Sequence, residues 1–111
     1  MLSLDIIKEH PHHILILSGE IDASNSVELD HSIRKMIDEG AKSILVDGTD
    51  LHYISSAGLG VFMSYLEDFQ TGGIRFAIYG LSPSVFEVFK ILGLDQLISI
   101  MPDKETVIKQ L

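Results

Sequence analysis

Apolar and polar residues alternate at the start of the chain, where Leu2, Leu4 and Ile6 are separated by Ser3 and Asp5, a pattern that predicts a half-exposed strand. After Pro11 the run Ile14, Leu15, Ile16 and Leu17 is apolar on both faces, as in a buried strand, and Gly19 closes it. Glu9, His10, Pro11 and His12 form a polar turn between the two, short enough to fold them into an antiparallel hairpin.

From Val27 the period changes. Leu29, Ile33, Met36 and Ile37 lie along one stripe with Glu28, Asp30, Arg34 and Lys35 elsewhere, which predicts an amphipathic helix. Asn25 followed three residues later by Glu28 resembles a capping box at its start, and Gly40 suits the left-handed position at its end. A strand at Ile44 to Asp47 and a loop lead to a second helical stripe of Leu59, Phe62, Met63, Leu66 and Phe69. Ile74 to Tyr79 is the next strand. Ser82 and Pro83 then supply an N-cap and first residue for a helix bearing Val85, Phe86, Val88, Phe89 and Leu92, and Gly93 stops it. Leu97 to Ile100 reads as a short last strand, and Asp103 begins a C-terminal helix that docks through Val107, Ile108 and Leu111.

Strands alternating with helices predict an α/β domain: a mixed, mostly parallel sheet opened by an antiparallel hairpin, with the helices packed on it through right-handed crossovers. Sites in such sheets form beyond the carboxyl ends of the parallel strands, where loops run into helix N-termini. The segment from Gly48 to Ser56, read as a loop, has that position. No repeat, linker or low-complexity segment interrupts the order.

Composition narrows the chemistry. A chain of 111 residues with 46% hydrophobic residues fits one compact domain. The absence of cysteine excludes disulfides, thiolate metal sites and a cysteine nucleophile. No stretch approaches the roughly 20 apolar residues of a membrane span, and Met1 leads straight into a strand pattern rather than a signal peptide. The expected compartment is the cytoplasm, without direct membrane insertion. Sixteen acidic residues against 8 Lys plus Arg give a formal charge of -8, which disfavours nucleic acid as a partner.

Ser55, Ser56, Ala57, Gly58, Leu59 and Gly60 stand between a buried strand and an apolar-striped helix. Taken alone, the segment fits a serine cap and a glycine turn. It also fits a phosphoryl site, because a group held there faces free backbone N–H groups and the positive end of the helix dipole. The run Tyr53-Ile-Ser-Ser-Ala-Gly-Leu-Gly60 resembles the signature of the STAS domain of anti-sigma factor antagonists. Gly19-Glu-Ile-Asp22 and Leu81-Ser-Pro-Ser84 resemble two further motifs of that family. The resemblance covers nearly the whole chain, so residues 1–111 are expected to form a single STAS domain.

In well-known members an Asp precedes the phosphorylated Ser, which is followed by a small residue and Gly-Leu. Aligning Gly58 and Leu59 with that pattern places the acceptor at Ser56, with Ser55 standing in the Asp position and itself a second candidate acceptor. Asp22 falls on the family's acidic residue near this site, which implies a role in orienting the acceptor loop or binding the kinase; by itself it also reads as a cap for the first helix. The resemblance implies a surface of Asp22, Ser55, Ser56, Ala57, Gly58, Leu59 and Ser82 that binds an anti-sigma factor serine kinase and so frees a sigma factor. It also implies a serine phosphatase that restores the unphosphorylated form. The chain itself is expected to be no enzyme and to hold no cofactor or metal. The alternative is a constitutive STAS interaction module, such as an accessory subunit of a membrane transport complex or part of a sensory assembly.

Other chemistries fit less well. A nucleophile elbow wants Gly two residues before the serine, where Ile54 stands, although His52 is near. Gly58-Leu-Gly60 lacks the third glycine of a dinucleotide fingerprint, because Met63 occupies that place, and there is no P-loop. His10, His12 and His13 read as surface turn residues, Asp47 and Asp50 as strand-end and turn residues, and Phe62, Phe69, Phe86 and Phe89 as core.

Overall fold

The computed structural model describes residues 1–110. Strands β1 (Leu2–Glu9), β2 (His12–Ile21), β3 (Ser43–Ile54), β4 (Arg75–Tyr79) and β5 (Ser99–Met101) form one sheet in the order β1-β2-β3-β4-β5. β1 pairs antiparallel with β2, and the remaining neighbours are parallel. The connections carry helices α1 (Ser26–Asp38), α2 (Ser56–Gly72), α3 (Pro83–Ile91) and α4 (Lys104–Gln110), with a 3-10 turn at Leu94–Gln96. This is the α/β architecture the alternation predicts. Leu111, expected to help dock the last helix, lies outside the described residues.

The strands bury both faces. Leu15, Leu17, Ile44, Val46, Leu51 and Ile54 meet α1 through Leu29, Ile33 and Met36, α2 through Leu59, Phe62 and Phe69, and α3 through Val85 and Phe89. On the opposite face Ile14, Leu45, Ala77 and Tyr79 are covered by Val107 of α4. Burial of such side chains, at roughly 1.5–3 kcal/mol each, supplies the main drive for this order of layers.

Several boundaries differ from the expectations. β2 runs past Gly19 to Ile21, and β3 does not stop at Asp47 but continues to Ile54, so the expected loop from Gly48 is strand. The register explains the difference. Ile16 pairs with Asp47 and Ser18 with Asp50, then Gly19 with Leu51 and Glu20 with Tyr53, so β3 twice spends an extra residue. These bulges break the period-two pattern while keeping Leu51 and Ile54 on the core face. Met63, placed on the core stripe of α2, is 48% exposed, and Tyr65 takes the core position, with its hydroxyl donating to Asp30 O. Leu92, Leu97 and Ile108 are exposed as well. His12 and His13 are half-buried members of β2 rather than surface turn residues.

Candidate functional site

The β2–β3 pair brings two of the sequence motifs to one place. Ile21 pairs with Ile54, and Ser55 N donates to Ile21 O at 2.9 Å, so the segments that follow, at Asp22 and at Ser55, leave the sheet side by side. Asp22 is held in a local network. Its carboxylate accepts from Ser24 Oγ at 2.5 Å, from Ser24 N at 2.9 Å and from Asn25 N at 3.2 Å. The Ser24 hydroxyl above all holds the Asp22 carboxyl below its ordinary range, so it is ionised.

Asn25 does not cap α1 with its side chain as the capping-box reading expects. Its Oδ1 accepts from Asp22 N at 2.9 Å and its Nδ2 donates to Glu20 O at 3.0 Å, and the side chain makes no bond to the N–H groups of α1. Asn25 is thus a buried strut of the Asp22 turn, a role its Asx chemistry allows but helix spacing does not reveal.

At the start of α2 the two serines do different things. Ser55 is the N-cap, in extended backbone, and its Oγ accepts from Gly58 N at 3.3 Å while its carbonyl takes the N–H of Leu59 at 3.0 Å. Ser56 is the first helical residue and is exposed. The N–H groups of Ser56 and Ala57 have no acceptor within the helix, and no acidic residue stands in its first turn. The helix start is therefore electropositive and accessible at Ser56.

Gly58 and Leu59 face inward. A Cβ on Gly58 would stand 2.6 Å from Ile21 Cγ2 and 2.9 Å from Ile54 Cγ1, so this glycine lets α2 sit down on the ends of β2 and β3. Leu59 is buried in the core. Ser82 caps α3, its Oγ accepting from Val85 N at 3.3 Å. Among the described residues no hydrogen bond ties it to Asp22, Ser55 or Ser56, and the residues before it, Gly80 and Leu81, lie against Thr49 and Gly48 of β3. Missed by pattern reasoning are two large apolar side chains exposed near this end, Val27 in the first turn of α1 and Tyr53 just before Ser55. Val27 lies off the inward stripe of α1, and Tyr53 lies in the stretch expected to be a loop, which the bulged pairing with β2 makes strand.

The STAS domain family matches residues 5–107 of this chain. The chain belongs to the STAS domain family. An anti-sigma-B factor antagonist of Listeria monocytogenes is 28% identical to this STAS domain over 100 residues, which span 89% of this chain and 88% of the relative. An anti-sigma factor antagonist from Mycobacterium paratuberculosis superposes with a TM-score of 0.91 at 16% identity, covering 99% of this chain and 93% of its own. SpoIIAA of Bacillus, solved unphosphorylated and phosphorylated, gives TM-scores of 0.78 and 0.72 at 22% and 21% identity over 99% of this STAS domain and 95% and 98% of theirs. At these identities the solved structures establish the shared fold. No helix among the described residues is long and apolar enough to cross a membrane.

Proposed function

We propose that this STAS domain is an anti-sigma factor antagonist, a binding module switched by phosphorylation of Ser56. The observation that carries the reading is the division of labour at the start of α2: the Ser55 hydroxyl is engaged as the cap, and the Ser56 hydroxyl stands exposed beside unclaimed N–H groups. The names of the relatives support the same class of function. An anti-sigma factor serine kinase transfers the γ-phosphoryl group of ATP to Ser56 Oγ, with release of ADP and the hydroxyl proton, and a serine phosphatase hydrolyses the ester. Unphosphorylated, the domain binds that kinase and so frees a sigma factor.

The contact surface comprises Asp22, Ser55, Ser56 and Ala57, with Gly58 and Leu59 shaping it from beneath and Tyr53 and Val27 adding exposed apolar area. Ser82, which follows the Leu81 that lies on Gly48, belongs to the margin of this surface. Phosphoserine adds about -1.5 to -2 charges, which the α2 terminus accommodates in the free domain. At an interface the same charge must lose its water or meet acidic groups, a penalty of several kcal/mol.

The test combines kinase, ATP and peptide mapping with calorimetry on both forms. Phosphate is expected on Ser56, with affinity for the kinase lowered about tenfold or more and the melting temperature nearly unchanged. Ser56→Asp reproduces only part of the loss, because a carboxylate has less charge and fewer acceptor oxygens. Unchanged affinity would reject the switch in favour of a constitutive interaction module, and global unfolding on phosphorylation would reject the local electrostatic mechanism.

A further inference from the structure

At the end of the sheet opposite Ser56, where the parallel strands begin, a cavity of about 390 Å³ is lined by Pro11, His12, Lys42, Ser43 and Arg75. We propose that this cavity binds a small phosphate-bearing molecule. The proposal is independent of whether Ser56 is modified.

Charge makes the first argument. In a chain of formal charge -8 a surface cation readily finds a carboxylate, and among the described residues Lys8, Arg34, Lys104 and Lys109 each pair with one. Lys35 and Lys90 are in no such pair but stand in the last turns of α1 and α3, where a cation complements the helix dipole. Among the described residues Lys42 and Arg75 have neither kind of partner, and both line this cavity. Two cations gathered in one concavity of an acidic protein repel each other unless an anion lies between them.

The second argument is the fixed base beneath them. Arg75 N donates to Lys42 O at 2.9 Å, and Ser43 pairs with Arg75 across β3 and β4, so the two cations spring from one rigid piece of backbone. Ser43 is only 4% exposed, and its Oγ lies 2.7 Å from His12 Nδ1. In the tautomer in which the Ser43 hydroxyl donates to Nδ1, the ring proton is on Nε2, which is then a donor. Guanidinium, ammonium and imidazole N–H are the donor set that suits a phosphate: a planar fork for two oxygens, a point charge and a neutral hydrogen bond. The volume lies towards the lower end of the range for small-molecule sites. It leaves room beyond the phosphate for a compact esterified group.

The test is an amide NMR titration of the whole chain with inorganic phosphate and, separately, with adenosine monophosphate, at constant ionic strength and with chloride as reference. Saturating shifts are expected at His12, Ser43 and Arg75. Lys42→Gln and Arg75→Gln should each weaken binding about tenfold or more, while Ser56→Ala leaves it unchanged. Both replaced side chains are exposed, and the amide spectrum of each variant reports its folding before titration. Tighter binding of the nucleotide than of phosphate supports the site and gives the remaining volume to the esterified group; equal binding supports it as a site for the phosphate alone. Shifts that chloride reproduces, shifts centred on residues 55–58, or affinities indifferent to both substitutions would overturn the proposal.

Discussion

Two adjacent serines at the start of α2 differ in what their oxygens already do, and that difference is measurable. Ser55→Ala removes the acceptor for Gly58 N and should lower stability by about 0.5–2 kcal/mol while phosphate still reaches Ser56; Ser56→Ala should leave stability almost untouched and abolish the transfer. Urea unfolding together with peptide mapping separates the two effects, and transfer confined to Ser55 would refute the assignment. Gly58 and Gly60 form a similar contrast. A side chain at Gly58 collides with Ile21 and Ile54, whereas nothing lies within 4 Å of a Cβ at Gly60. Gly58→Val should therefore destabilise the fold by about 1–3 kcal/mol, and Gly60→Ala, inside the helix, should stabilise it by roughly 0.5–1 kcal/mol. A loss of partner affinity in Gly58→Val then reports the seating of α2 rather than direct contact. Equal denaturation midpoints for the two variants would contradict this packing.

Elements were legible where one local rule acted alone. The hairpin, the amphipathic α1 and the Ser82-Pro83 start of α3 each follow from a period or a cap, and Ser82 does accept from Val85 N. The second half of β3 was not legible, because Asp47-Gly48-Thr49-Asp50 is turn chemistry and Thr49 N does donate to Asp47 Oδ1 at 3.0 Å. Pairing with β2 absorbs that turn as a bulge, and a partner strand is information no local window contains. For the candidate site, the serines and Asp22 could be picked out from motif and position, yet the inward direction of Gly58 and Leu59 and the strut role of Asn25 depend on tertiary contacts. Helix α2 is tied to its neighbours through Phe62. Phe62 is 1% exposed and its ring lies 6.0 Å from that of Phe76 and 6.3 Å from that of Phe89, joining α2 to β4 and α3. Phe62→Ala should cost about 3–5 kcal/mol, a large share of the stability of a domain this size. A chemical-denaturation loss under about 1 kcal/mol would show that the three elements are held by other contacts.

For the whole molecule, the alkaline limit of stability is written into the α4-covered face of the sheet. Tyr79 is 5% exposed there, and burial, with Asp47 as its cross-strand neighbour, pushes its hydroxyl up to about 12. In the unfolded chain a tyrosine ionises near about pH 10. The fold thus favours the neutral form, and the associated stability is whole below about pH 10 and is lost as pH rises towards 12. Tyr79→Phe should flatten the fall in melting temperature over that window, leaving the smaller contribution of Tyr65, which is also raised by burial. An unaltered slope would place the alkaline sensitivity elsewhere. β4 pairs with β3 only as far as Asp47, so residues 48–54 of β3 are laddered to β2 alone, with the Ser55–Ser56 corner at their tip. Amide hydrogens along that stretch have one neighbouring strand to shield them, whereas those of Ile44, Leu45 and Val46 have two. Their exchange with solvent should accordingly proceed through small local openings, and that of the inner stretch through rupture of the whole sheet. Under the proposed switch, a kinase or phosphatase would draw the Ser56 corner into its own active site at the expense of a few hydrogen bonds, with the five-stranded body left intact behind it.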